Sequence, residues 1–281
     1  MPTIAHISDL HLQSGVPERQ AQVEPILQKI NEMKPDLVVI SGDVTDDGWD
    51  SIDELKWAKD WLEERIDGDW FAVPGNHDVG NFVSLDDGCI TQNRVDMCWK
   101  IFPTVRSSML ACPSGSPLIA WQVEGYNSML FGSGLPAEEV EAESLCTSLT
   151  HLAKRDLAVV AVLHSPLFAQ SPDEQVGNEV NYWLGPEQPR EIYWRMIKQT
   201  GVKLICSGHV HQTRLMEIDG VKIAWAPPAS GTWVHAPGLP NPPMPEKTGF
   251  FLHHLHDDGR VESELVECAP MLKCIEFNPW P

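Results

Sequence analysis

The sequence predicts an α/β fold, on three observations. Short apolar runs rich in Val and Ile recur along the chain, and amphipathic helical stretches separate them in the first third. Several of those runs also end abruptly in a cluster of Asp, His or Asn. Such alternation builds β-α-β units, and the carboxyl ends of their strands are where functional side chains gather.

Each element has its own signal. Thr3 to Ser8 is apolar and ends at Asp9. Glu18 to Met33 carries Val23, Ile26, Leu27 and Ile30 on one helical stripe, and Pro35 stops it. Leu37 to Ser41 reads as a buried strand that ends at Gly42-Asp43. Ser51 and Glu54 form a capping box for a helix to about Arg65, with Leu55, Trp57 or Ala58, Trp61 and Leu62 facing the core. Phe71 to Val73 is a third strand, before Pro74-Gly75-Asn76. Further on, residues 79–116 read as a helical excursion over the site, Leu118 to Phe131 as two short strands, and Glu138 to Lys154 as an acidic helix with a solvated face. Leu157 to Leu163 is a strand delivering His164, Ile192 to Thr200 a helix, and Val202 to Cys206 a strand delivering Gly208-His209-Val210-His211. Val221 to Ala226 and Gly249 to Leu255 are later strands, with a Pro-rich loop at 231–246.

The 281 residues suit a single domain, 1–281. No stretch approaches the ~18 apolar residues of a spanning helix, so no membrane span is expected. The first twelve residues run straight into a strand and a motif, which reads as the absence of a signal peptide. Seven cysteines without CxxC spacing read as free thiols in a reducing, cytoplasmic compartment. A net charge of -20 argues against long nucleic acid, which needs a basic stripe. A small anionic substrate stays compatible, because bound cations reverse the sign inside a pocket.

Five clusters carry the chemistry: Asp9-Leu10-His11, Gly42-Asp43 to Asp46, Gly75-Asn76-His77-Asp78, His164, and Gly208-His209-Val210-His211. All are hard oxygen or imidazole donors, and together they describe a site for two metal ions side by side. Asp9 and His11, like His209 and His211, are two residues apart, so both can face one ion only where a strand end turns into a loop. The glycine before Asp43 lets its carboxylate bridge two ions, and Asn76 adds a neutral amide oxygen. With no cysteine in the set, the donors suit Mn, Fe, Zn or Co. His6 is expected in the core, and His151, His253, His254 and His256 on the surface. His235, beside Trp233, is the remaining histidine expected to meet substrate.

This ordered series, D-x-H, G-D-x-x-D, G-N-H-D, a lone H and G-H-x-H from Asp9 to His211, resembles the calcineurin-like metallophosphoesterase superfamily. The resemblance implies a four-layer α-β-β-α sandwich of two mixed β-sheets flanked by helices. Carried over by position, Asp9, His11, Asp43 and His211 would hold one divalent ion, and Asp43, Asn76, His164 and His209 the second. His77 would act on the substrate, with Asp46 hydrogen-bonded to it, and Asp78 would be structural. Protein phosphatases of the superfamily carry an arginine directly after the second motif, where this chain has Asp47-Gly48. That departure, with the acidic balance, is more similar to bacterial cyclic-nucleotide and glycerophosphodiester phosphodiesterases, so a small phosphodiester is the expected substrate. Related phosphodiesterases also imply homo-oligomers, on which the residues themselves are silent.

Overall fold

The expected strands assemble into two sheets in a computed structural model of the chain, which describes residues 1–82, 88–102, 107–152, 157–170, 183–230 and 247–270. Numbered in chain order, β1 (Thr3–Ile7), β2 (Leu37–Ile40) and β3 (Trp70–Ala72) run parallel. They join β10 (Lys247–Leu255) and β11 (Val261–Pro270) in the order β11-β10-β1-β2-β3, both added antiparallel. The second sheet has the order β4-β5-β6-β7-β9-β8. Its parallel centre is β5 (Ala120–Gly125), β6 (Leu157–Val162), β7 (Val202–Ser207) and β9 (Val221–Trp225). Its antiparallel edges are β4 (Ser107–Ala111) and β8 (Arg214–Ile218).

Successive side chains of a strand point to opposite faces, so each sheet is buried twice. On β1, Ala5 and Ile7 meet α1 (Pro17–Met33) and α2 (Ile52–Glu63) through Val23, Ile26, Leu55 and Leu62. Ile4 instead joins Val39 and Phe251 against Val160 and Leu204 of the second sheet. On the far face of that sheet, Val159, Ala161 and Ile205 pack with Leu145 of α5 (Pro136–Leu152) and with Trp194 and Ile197 of α6 (Glu187–Gln199). The result is the α-β-β-α layering and mixed strand sense that the family resemblance implied. Each fully buried Leu, Ile or Val contributes about 1.5–3 kcal/mol, so one core holds the sheets against one another and two hold the helices to them.

Several local expectations are met and others corrected. Ser51 caps α2 by accepting from the Glu54 amide at 3.3 Å, but Glu54 does not close the box, because its carboxylate accepts from the Ser14 amide at 3.0 Å. Of Trp57 and Ala58, Ala58 is the fully buried one. Leu118 to Phe131 forms one strand only; Ser128–Leu130 is a 3-10 turn, held where the Asn127 side chain accepts from the Met129 amide. The excursion at 79–116 follows α3 (Asn76–Val79), and its described residues hold α4 (Gln92–Ile101) and the strand β4. The acidic face of α5 is not wholly solvated, since Glu141 is buried and accepts from the Asn127 amide at 2.6 Å. β8 and β11 were not anticipated, although Asp219-Gly220, both with positive φ, is a recognisable hairpin turn between β8 and β9.

His253, expected on the surface, is fully buried. Strand β10 lies between β1 and β11, and its alternation sends Phe251, His253 and Leu255 inward. His6 is in the core as expected. His254 and His256 are half-buried, and the side chain of His151 lies outside the description. Every described cysteine is free. No described helix is long and apolar enough to cross a membrane.

Candidate metal centre

The five clusters leave the carboxyl ends of β1, β2, β3, β6 and β7, which all open at the same edge of the sandwich. Asp9, His11, Asp43, His209 and His211 all adopt the left-handed backbone region, with φ between 45° and 68°. Among the described non-glycine residues only Lys34 and Asp219 share it. In an extended strand two side chains on one face stand roughly 6–7 Å apart; the left-handed bends fold each D-x-H or H-x-H pair around a single point. Asp and His tolerate this region better than most residues, but it still costs about 1–2 kcal/mol each. Strain concentrated in this way points to function rather than to folding.

The donors converge in two groups. One ligand atom from each of Asp9, His11, Asp43 and His211 lies within 4.8 Å of the others, and Asp43, His164 and His209 form a second such set. Asn76 Oδ1 sits 3.1 Å from His164 Nε2, which adds the amide to the second group. Asp43 is common to both, and all seven residues are buried. His11 Nε2 is 3.0 Å from His211 Nε2, His211 Nε2 is 3.4 Å from Asp9 Oδ1, and His164 Nε2 is 3.3 Å from Asp43 Oδ2.

Partners outside the cluster aim the donors. His164 Nδ1–H donates to the Ser41 carbonyl at 2.8 Å, which turns Nε2 inward. Asp9 accepts from the His209 amide at 3.0 Å, and Asp43 Oδ1 from the His77 amide at 2.8 Å. Asp78 accepts from the amides of Val44, Thr45 and Gly75 and from Thr45 Oγ1, at 2.8–3.1 Å. It ties the β2 loop to the β3 loop, the structural part expected of it. Close approach explains two of the motif glycines. A Cβ on Gly75 would lie 2.2 Å from Asp43 Oδ1, and one on Gly208 would lie 1.7 Å from Ser8 Oγ.

The electrostatics are those of a site built for cations. Burial alone would raise the Asp9 carboxyl, yet neighbouring His211 brings it down to about 2, and Asp43 is likewise held well below the carboxylate range, chiefly by His164. Burial opposes charge on His164 too, but Asp43 pushes it up to about 9. Protons on imidazoles thus balance the buried carboxylates, a task that divalent ions perform with better geometry. Two imidazole nitrogens facing each other at 3.0 Å, as in His11 and His211, fit a shared cation better than each other. The residues present therefore fit two ions.

His77 has no place in either group and stands at the rim with its side chain 27% exposed. The expected hydrogen bond between His77 and Asp46 is present and runs through the backbone: His77 Nδ1–H donates to the Asp46 carbonyl at 2.7 Å, while the carboxylate is 3.9 Å away. The Asp46 carboxylate instead lies 3.2 Å from His11 Nδ1 and pairs with Arg19. Burial would raise this acid, but His11 and Arg19 hold it at about 2. Arg19, at the start of α1, is the site residue that motif reading missed; nothing in the sequence marks one helix arginine as the one that returns to the second motif. Trp183 is buried with its ring 5.6 Å from that of His209, so it packs on a donor. His235 lies outside the described residues, as does the whole loop at 231–246.

A model of the calcineurin-like phosphoesterase family matches residues 2–213. The chain belongs to that family. Among solved structures it is similar to GAP50, the anchor in the inner membrane complex of Plasmodium, at 14% identity and TM-score 0.65, covering 98% of this chain and 90% of that one. It is also similar to the purple acid phosphatase PPD1 of yellow lupin, at 14% identity and TM-score 0.62, covering 95% and 53%. A dimetal phosphatase of Danio rerio follows at 14% and 0.58, covering 95% and 99%. At these identities the likeness carries the fold alone. No curated protein matches.

Proposed function

We propose that this chain hydrolyses a small phosphodiester, a cyclic nucleotide or a glycerophosphodiester, at a dinuclear metal centre. The observation that carries the reading is Asp43, shared by two buried donor groups directly beneath a rim histidine. Asp9, His11, Asp43 and His211 would hold one ion, and Asp43, Asn76, His164 and His209 the other. When bound, two divalent ions supply positive charge for the phosphate oxygens and make water a competent nucleophile at neutral pH.

His77 moves a proton. With Nδ1–H committed to the Asp46 carbonyl, Nε2 is the nitrogen left to exchange a proton with the substrate, and as imidazolium it gives a departing alkoxide the proton it needs. Asp46 is a positioning residue: its carbonyl sets the His77 ring, and its carboxylate sets His11. Arg19 holds that carboxylate in place, so its own charge is already balanced. Two ions alone then nearly balance a diester, which carries one charge fewer than a monoester dianion. The net charge of -20 supports a small substrate over a long nucleic acid. Free thiols at every described cysteine sit well with action in a reducing compartment such as the cytoplasm.

One observation favours a phosphomonoesterase instead: Arg19 is a cation at the rim, able to leave Asp46 for a dianion. Metal-reconstituted protein assayed on bis(p-nitrophenyl) phosphate beside p-nitrophenyl phosphate, with metal counted on the same sample, separates the readings. Two ions per chain and a diester preference support the proposal. A monoester preference that Arg19→Ala abolishes moves the substrate class, and no metal with no turnover leaves a scaffold of the kind GAP50's anchor description suggests.

A further inference from the structure

A second cluster of ligand-type side chains lies away from the catalytic edge, between the two sheets. Alternation on β1 puts His6 on the inner face with Ile4, β10 contributes His253 beside Phe251, and β7 of the opposite sheet contributes Cys206 beside Leu204. All three are fully buried, and one ligand atom from each lies within 4.8 Å of the others. The facing atoms are His6 Nδ1 and His253 Nε2, 3.4 Å apart, with Cys206 Sγ 3.8 Å from His253 Nε2. The outward nitrogens are anchored: His6 Nε2 lies 2.9 Å from Ser41 Oγ and His253 Nδ1 lies 2.8 Å from Ser263 Oγ.

Hydrogen bonding satisfies this arrangement only in part. If both outward nitrogens donate to their serines, two bare lone pairs face each other and a single S–H serves them both. If one ring is reversed so that it donates to the other, the S–H has no acceptor in the triad. A cation satisfies all three donors at once. Bond lengths of about 2.0–2.1 Å to imidazole and about 2.3 Å to thiolate place trigonal donors roughly 3.5 Å (N to N) and roughly 3.8 Å (N to S) apart, close to the distances found here.

We infer that His6, Cys206 and His253 form a mononuclear site for a thiophilic closed-shell ion, copper(I) in preference to zinc(II). Charge selects between the two. Binding releases the thiol proton to solvent, so copper(I) with one thiolate is neutral, whereas zinc(II) leaves a net positive charge. The packed neighbours Ile4, Leu204 and Phe251 offer that charge no compensation, and Asp9, whose charge reaches His6, would already be committed to the catalytic ions. Softness and a three-donor set also suit copper(I). Burial holds the His6 ring down at about 3 and the His253 ring well below its usual value, so both offer lone pairs at neutral pH. The ion would cross-link the two sheets beneath the catalytic edge.

The test uses the full chain with its dinuclear centre filled with manganese, exposed anaerobically to copper(I) and separately to zinc(II). The expected result is one tightly held copper per chain, a copper-edge absorption spectrum with one sulfur neighbour, and loss of that copper in Cys206→Ser with phosphoesterase activity kept. Copper without a sulfur neighbour, or retained equally in Cys206→Ser, overturns the site. Zinc held on sulfur in preference to copper overturns the choice of ion. The wild-type spectrum needs no variant, so a Cys206→Ser that fails to fold leaves the test standing. Metal on sulfur is read independently of turnover, so the result stands apart from the proposed hydrolysis.

Discussion

Replacing Gly75 by alanine isolates the convergence of the donors from the folding of the domain. Gly75 has φ -109°, which alanine adopts freely, so the substitution carries no backbone penalty. The new Cβ would lie 2.2 Å from Asp43 Oδ1 and 2.4 Å from the Asp43 backbone nitrogen, where ordinary contact begins at 3.4 Å. Something must move by about an ångström, and overpacking of this kind costs ~1–3 kcal/mol. The displaced group is the carboxylate common to both donor sets. Both ions should therefore be lost or weakened together, and ångström-scale misplacement lowers turnover by about 10²-fold. Metal counting, a thermal melt and kcat on bis(p-nitrophenyl) phosphate measure the three consequences. Gly15→Ala is the control, because nothing lies within 4 Å of its Cβ. A Gly75→Ala protein that keeps both ions and wild-type turnover would refute the shared role of Asp43.

Other expectations follow from the same geometry. His77→Ala should retain metal and lose about 10²–10⁴ in kcat; loss of both ions in that variant would remove its assigned role. Asp78→Ala strands the buried amides of Val44, Thr45 and Gly75 and should cost about 3–5 kcal/mol, read by urea unfolding; a midpoint unchanged from wild type would show that the loops do not depend on it. In protein free of copper and zinc, His6 and His253 are buried with depressed pKa values, so their contribution is complete above pH ~6.5 and is lost as pH falls below that, for His6 down to about 3. Each should add a slope of up to about 1.4 kcal/mol per pH unit, and a His6→Asn variant with the wild-type acid slope would contradict this.

Much of the site was legible because its residues announce themselves locally. Asp9, His11, Asp43, Asn76, His164, His209 and His211 each follow an apolar run, and a strand end is a place the chain itself marks. The paired spacing of Asp9 with His11 and of His209 with His211 already required a bend, and the positive φ at all four supplies it. The helix stripe of α1 and the Ser51 cap were equally local. The Asp219-Gly220 hairpin between β8 and β9 is just as local. Asp46 is legible as the partner of His77, but its contacting atom is not. Motif spacing places its residue near His77 but does not say whether the carbonyl or the carboxylate arrives, and Arg19 settles that from another element.

What the sequence alone determined about this protein is the α/β class, the donor chemistry and the strand ends that carry it, since propensity, periodicity and spacing act within a few residues. Tertiary structure decided which donors share an ion's neighbourhood, that Arg19 secures Asp46, and that His253 turns inward. It also brought His6, Cys206 and His253 together. Those outcomes depend on strand order and sheet packing between residues up to 247 positions apart, and no local pattern encodes such a distance.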